Sequence, residues 1–345
     1  MSERPELSVV LPCRLSGAVG TEMRWALLRL CLVALDAQTA AASAFEVVVV
    51  DDSSDVRLAD LVDEFARRRL RIRPRVLRGD GPSRGQSAAY NVGVEAARGR
   101  YVLLTTDDSL LAPDAVEAHL GGHARRASAA YLCGTERQYA YGILFRDIIT
   151  GALHPRGDLA VRAFGSLLGF ADIRATAEQL GLTDWTITPD DVRYRYAELS
   201  RTAALTPGFQ DMYNELRSDR ADLRWLCVRM GNHSVARSTL LDIGGVEETV
   251  PSGNSDQDLG LKLLEAGVGI HFEPAAASVL LEHRRNLRSF ADTSGLALLA
   301  ERWPRPEVTR LHEYFGQGYH RLIADYRRAL AGGAGSGQVS PHGTA

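Results

Sequence analysis

A chain of 345 residues with 45% hydrophobic content can bury one large α/β core or two smaller lobes, which excludes a disordered or fibrous protein. A net charge of -3 and a pI near 6.3 give no field that would gather nucleic acid. Lys262 is the sole lysine among 40 basic residues, a bias that fits a GC-rich genome.

Cys13, Cys31, Cys133 and Cys227 lack CxxC spacing and read as buried free thiols in a reducing cytoplasm, not as disulfides or zinc ligands. Residues 1–6 lack the basic-then-apolar order of a signal peptide, and no apolar run approaches the ~20 residues a bilayer crossing needs. The expectation is a soluble cytoplasmic protein without a transmembrane segment.

Along the chain, Leu7 to Pro12 predicts a strand, Trp25 to Asp36 a helix, Phe45 to Val50 a strand and Arg57 to Arg69 a helix. A short strand, Arg73 to Leu77, leads through the glycine-rich loop Gly79 to Gly85 into a helix from Gln86 to Ala97, and the next strand runs from Tyr101 into Asp107. Pro113 opens a helix to Arg126. From Thr135 to about Arg224 the periodicity loosens. Order returns at Leu226 to Arg237, followed by helices at Ser238 to Ile243 and Asp256 to Ala266 and strands at Gly269 to Glu273 and Ala277 to Leu281. Helical periodicity recurs at Leu296 to Trp303 and Glu307 to Leu330, and the Gly, Ala and Ser tail Ala331 to Ala345 is expected to be disordered. Strands alternating with helices of 10 to 15 residues imply an α/β fold with a doubly wound, mostly parallel sheet and helices on both faces.

Two apolar strands run straight into acid pairs, Val47 to Val50 into Asp51-Asp52 and Tyr101 to Thr105 into Asp107-Asp108. When such strands are buried on both faces, residues just past their carboxyl ends lie at the ligand-binding end of the sheet, where clustered carboxylates suit a metal and a phosphate. Helix capping by Asp51 and Ser53 is the plainer alternative for the first pair. The loop Gly79-Asp80-Gly81-Pro82-Ser83-Arg84-Gly85 offers backbone amides to a phosphate but has neither a Walker ending nor the dinucleotide glycine spacing. Asp256 and Asp258 stand at a helix start, where a cap and a complement to the positive helix end would explain both.

These pieces occur in an order that resembles the family-two inverting glycosyltransferases of the GT-A fold: Val9-Val10-Leu11-Pro12-Cys13-Arg14, Val50-Asp51-Asp52-Ser53-Ser54, Arg84-Gly85-Gln86-Ser87-Ala88-Ala89-Tyr90-Asn91-Val92-Gly93, Gly99-Arg100-Tyr101-Val102, Thr106-Asp107-Asp108, Gly244-Gly245-Val246-Glu247-Glu248 and Asp256-Gln257-Asp258-Leu259. The resemblance spans roughly Leu7 to His283. It implies a nucleotide-sugar-binding half at 1–134 and a catalytic half at 226–285, whereas the loosened segment 135–225 and the helical stretch 286–330 ahead of the tail at 331–345 are not matched, which fits an acceptor-shaping insertion and a C-terminal helical appendage. It also implies a donor that is a nucleotide-diphosphate sugar, most readily a UDP-sugar, and an acceptor that is a small or medium hydroxyl compound from natural-product or surface-glycan assembly. No nucleic-acid partner is implied, and a homodimer stays open.

Carried over residue by residue, Pro12 and Arg14 edge the base pocket, Asp52 bonds the uracil or ribose, and Arg84 faces the diphosphate. Asp107 and Asp108 form the Asp-x-Asp region, in which Thr106 replaces the first acid. Asp108, helped by His283, would hold Mn²⁺ or Mg²⁺, since a hard cation needs few protein oxygens when phosphates supply the rest. Asp256 would be the catalytic base, with Ser255 where the family often has Glu. Asn232 and His233 are candidates for sugar hydroxyls. The competing readings are a sugar-phosphate nucleotidylyltransferase and a non-catalytic nucleotide-sugar-binding scaffold of the same fold.

Overall fold

The structure is a computed structural model that describes residues 4–79, 81–126, 129–140, 187–203, 205, 207–251, 253–282, 294–312 and 322–332. The chain opens with β1 (Leu7–Cys13), α1 (Ala18–Asp36), β2 (Phe45–Asp51), α2 (Leu58–Arg69), β3 (Arg75–Arg78), α3 (Gln86–Ala96), β4 (Tyr101–Thr105), β5 (Ser109–Leu111) and α4 (Ala115–Ala124). It continues through β6 (Ala130–Ala140), α5 (Pro189–Tyr194), α6 (Tyr196–Thr202), α7 (Pro207–Arg217), β7 (Asn232–Ala236), α8 (Arg237–Asp242), α9 (Ser255–Glu265), β8 (Gly269–Glu282), α10 (Ser294–Arg302), α11 (Pro306–Thr309) and α12 (Ile323–Ala331).

The strands form one sheet in the order β3-β2-β1-β4-β7-β6-β8-β5, in which β7 and β5 run against the other six. This is the expected mostly parallel, GT-A-like α/β arrangement. Alternate residues of the valine-rich strands enter opposite cores, as the two-residue pleat requires. Val9, Leu11, Val47 and Val49 pack with α1, α2, α4, α5 and α6 on one face. Val10, Val48 and Val50 pack with α3, α7, α9 and the C-terminal helices on the other. The order turns at β1, whose neighbours β2 and β4 lead to opposite edges of the sheet, and a crevice beyond the carboxyl ends of β1 and β4 is where such sheets bind ligands.

Several expectations need correction. Residues 135–140, expected to begin an irregular stretch, continue β6 in register with Ala277 to Glu282. The two short strands expected at 269–281 are one strand, β8, in which pairing steps from Gly134 with Glu273 to Thr135 with Ala277, so that Pro274 to Ala276 bulge out. The order expected from Leu226 resolves into a 3₁₀ turn, Arg224–Cys227, ahead of β7. Of the helix expected from Glu307 to Leu330, α11 and α12 are helical while 313–321 lies outside the described residues, as does the tail beyond 332.

Segments 187–203 and 207–217 cover both faces of the sheet. Arg193 on α5 donates to Asp36 at 2.8 Å and to the Arg69 carbonyl at 2.7 Å, while Phe209 and Tyr213 of α7 sit in the opposite core. All four cysteines are buried and unpaired, and burial pushes each thiol up, as expected of inert core thiols. No helix among the described residues is long and apolar enough to cross a membrane.

Candidate active site

The acids at the end of β2 divide into a fastener and a presented group. Asp51 is buried and accepts from the Ser54 amide at 2.8 Å, so it closes the turn. Asp52 is half-buried and reaches the glycine-rich loop, accepting from Ser83 Oγ at 2.6 Å and from the Arg84 amide at 3.1 Å. Ser53 adopts a left-handed backbone (φ 61°) and donates from its hydroxyl to the Gly81 carbonyl at 2.7 Å, which fastens the same loop from the other side. Pro12 is buried and Arg14 exposed at the end of β1. The exposed Arg84 guanidinium pairs with Glu248, which Asn91 Nδ2 also holds at 2.9 Å.

Past β4, Thr106 donates its hydroxyl to Asp108 Oδ1 at 2.5 Å, and Arg24 of α1 donates to Asp107 Oδ1 at 2.7 Å. Both carboxylates are buried. The residue in the place of the family's first acid therefore orients the second, and Asp107 is turned toward α1. Among the described residues no three His, Cys, Asp or Glu side chains converge as a ready-made metal cage, and His283 lies outside the described residues.

Because β7 runs against β4, with Thr105 opposite Asn232, the residues that lead into β7 arrive at the edge that carries Asp107 and Asp108. Tyr90 of α3 joins the two sides, its hydroxyl lying 2.8 Å from the Thr105 carbonyl and 2.6 Å from the Met230 carbonyl. Burial, then the charges of Asp256, Asp108 and Asp107, push the Tyr90 phenol well up.

Asp256 lies in the first turn of α9 and accepts from the Met230 amide. On an α-helix, residue i+4 returns to nearly the same face. Gly260 therefore shares the face of Asp256, and a β-carbon there would come within 2.3 Å of the Trp225 carbonyl. The absence of a side chain lets α9 settle against the 224–230 segment and carries Asp256 to the strand ends. Desolvation pushes the Asp256 carboxyl up from 3.8 to about 6, against the opposing pull of Arg229 and of the Met230 hydrogen bond.

Asp258 behaves differently. Fully buried, it accepts from Arg302 Nε at 3.0 Å and Trp303 Nε1 at 2.9 Å. Neither acid caps the helix: the N-cap is Asn254, which makes no side-chain capping bond. Asn232 is a buried bolt, donating to the Ala276 carbonyl at 2.9 Å and facing His119 Nε2 at 2.9 Å. His233 Nδ1 accepts from the Arg229 amide at 3.0 Å, and burial holds its ring neutral. Both side chains spend hydrogen bonds on the interior.

Residues 8–157 match the family described as glycosyl transferase family 2. The match runs from β1 to beyond the end of β6. It is 23% identical over 309 residues, 83% of this chain and 71% of the relative, to the uncharacterized glycosyltransferase YfnE of Bacillus subtilis strain 168. The mannosyltransferase PcManGT of Pyrobaculum calidifontis, solved with GDP-Man and Mn²⁺, superposes with a TM-score of 0.53 at 16% identity over 98% of this chain and 77% of that one. S. aureus TarS 1-349 in complex with UDP-GlcNAc gives 0.53 at 14% identity over 94% and 81%. At these identities the two structures bear on the fold alone.

Sequence reasoning overlooked Tyr90, Arg24, Arg229 and Glu248. Tyr90 and Glu248 stand inside family motifs, so their positions were visible even though their partners were not. Arg24 and Arg229 carry no local signal, because what each does depends on a charge that folding brings from elsewhere in the chain.

Proposed function

We propose that this chain is a metal-dependent inverting glycosyltransferase that moves a sugar from a nucleotide-diphosphate donor, most favourably a UDP-sugar, to a hydroxyl of a small or medium acceptor. The observation that carries this reading is that the Tyr90 hydroxyl bridges the Thr105 carbonyl, on the strand that leads into Asp107 and Asp108, and the carbonyl of Met230, whose amide bonds Asp256. A base on one side and anionic oxygens on the other bracket the space where an anomeric carbon would sit.

In this reading Asp256 takes the proton from the acceptor hydroxyl as that oxygen bonds to the anomeric carbon. The bond from that carbon to the diphosphate breaks on the opposite face, and its electron pair leaves with the nucleotide. A carboxyl near 6 is mostly ionised at neutral pH yet basic enough to accept a proton in the transition state, a contribution worth ~10²–10⁴ in rate. Pro12, Arg14 and Asp52 would border the nucleoside. Arg84 would exchange Glu248 for the diphosphate.

The oxygen donors at Asp108, set by Thr106, fit a hard divalent cation that draws its remaining ligands from phosphate and water. Bound there, Mn²⁺ or Mg²⁺ would neutralise charge developing on the leaving diphosphate. His283 remains a proposed second protein ligand, and the 135–225 segment remains the proposed acceptor-shaping part. Calorimetric titration of UDP and GDP with and without Mn²⁺, on wild type and Asp108→Ala, tests the reading. Metal-dependent binding that Asp108→Ala abolishes supports it, and full affinity in that variant rejects it.

A further inference from the structure

We infer that Arg302, in the C-terminal helix α10, is a positioning residue that ties the donor-side loop to the helix carrying Asp256. The inference rests on Asp256 being the base.

Its guanidinium makes two ion pairs at once. Nε donates to Asp258 Oδ1 at 3.0 Å, and a terminal nitrogen pairs with Glu247 Oε2 at 3.0 Å. Glu247 adjoins Glu248, the partner of the diphosphate-facing Arg84, and Asp258 is two residues beyond the base. Trp303 Nε1 adds a second donor to Asp258 at 2.9 Å, and Lys262 bridges the same pair of acids at 3.6 and 3.7 Å while donating to the Gly245 carbonyl at 3.1 Å.

Two residues along an α-helix turn the side-chain direction by about 200°. Asp256 and Asp258 therefore face nearly opposite ways, the first toward Met230 and the cleft, the second toward α10. The first turn of α9 has no side-chain cap; these ion pairs hold it from the C-terminal side while Gly260 packs on Trp225 from the other. At Gly295 a β-carbon would lie 2.3 Å from Asn254 Oδ1, so α10 also presses directly on the residue that begins α9. A base displaced by about 1 Å can cost ~10²-fold in rate, so a small release of this hold is enough to be read in turnover.

The test uses the full chain with Arg302→Met, Arg302→Lys and Asp256→Asn. Hydrogen–deuterium exchange is measured on each, together with Mn²⁺-dependent UDP affinity and hydrolysis of UDP-GlcNAc. Arg302→Met should speed exchange across 244–248 and 255–260 at least tenfold while β1, β2 and β4 stay protected. Hydrolysis per bound donor should fall about tenfold or more with UDP affinity within about twofold, and Arg302→Lys should recover most of the loss. Unchanged exchange in Arg302→Met, or acceleration spread along the whole chain with donor affinity lost in step, overturns the inference. Should Arg302→Met not fold, Trp303→Phe removes one donor to Asp258 and must show the same local pattern at smaller size; its absence is equally decisive. Wild-type hydrolysis by Asp256→Asn alongside the expected exchange pattern would reject the base reading and leave the tie between loop and helix standing.

Discussion

The donor edge of the sheet and the start of α9 treat their carboxylates in opposite ways. At the donor edge each acid has a short hydrogen bond waiting for it: Asp51 from Ser54, Asp52 from Ser83, Asp107 from Arg24 and Asp108 from Thr106. On α9 the two acids part company, with Asp258 clamped by Arg302 and Trp303 and Asp256 enclosed where its charge is disfavoured. In the proposed reading the contrast separates two tasks. Groups that hold a ligand gain from being oriented in advance, whereas a group that must accept a proton gains from an environment that raises its basicity.

The sharpest way to break this comparison is Asp256→Asn, which should reduce sugar transfer by ~10²–10⁴-fold, measured as nucleotide release from a turned-over donor, while metal-dependent UDP affinity stays close to wild type. The same variant carries a stability signature of definite sign. A carboxyl whose folded value of about 6 exceeds its ordinary 3.8 stabilises the fold below about pH 4 and loses that contribution as pH rises through 6. Asp256→Asn should therefore melt higher than wild type at pH 8, with the gap closing toward pH 4 in a thermal scan.

Next in size is Asp258→Ala. It strands two donors and removes a buried charge that Lys262 and Arg302 compensate, and losses of this kind run to ~3–5 kcal/mol. Chemical denaturation should register a drop of that order. A loss below about 1 kcal/mol would erase the distinction between the clamped acid and the reactive one.

A smaller effect lies in the pH profile. If Asp256 is the base, the rate at limiting substrate should fall about tenfold per pH unit below 6 as its proton returns. A profile flat to pH 5 would move the role to another group. The mildest change is Glu248→Gln, which removes the charge competing for the solvent-exposed Arg84. Since exposed pairs contribute ~0.2–1 kcal/mol, UDP affinity should tighten only a few-fold in a calorimetric titration.

Much of the donor edge was legible because its logic is local. Valine runs that lead into acids, and glycines between a strand and a helix, tell their position without reference to distant residues. The limits were equally physical. Thr135-Glu136-Arg137-Gln138-Tyr139 reads as a polar loop, yet it is the second half of β6, with Glu136 and Gln138 buried. Asp256 and Asp258 look interchangeable in sequence, and only partners 44 and 45 residues downstream reveal that the second is structural. Thr106 read as the loss of an acid, because its hydroxyl bond to Asp108 depends on how the chain turns after β4.

The sequestered thiols have a practical consequence for anyone wishing to watch this enzyme work. With Cys13, Cys31, Cys133 and Cys227 all shielded and held protonated, the native chain presents no competitive target to a maleimide dye. A single cysteine placed at exposed Gly253, just ahead of α9, would take a fluorophore without prior removal of the natural ones, giving a clean optical reporter beside the helix that carries Asp256.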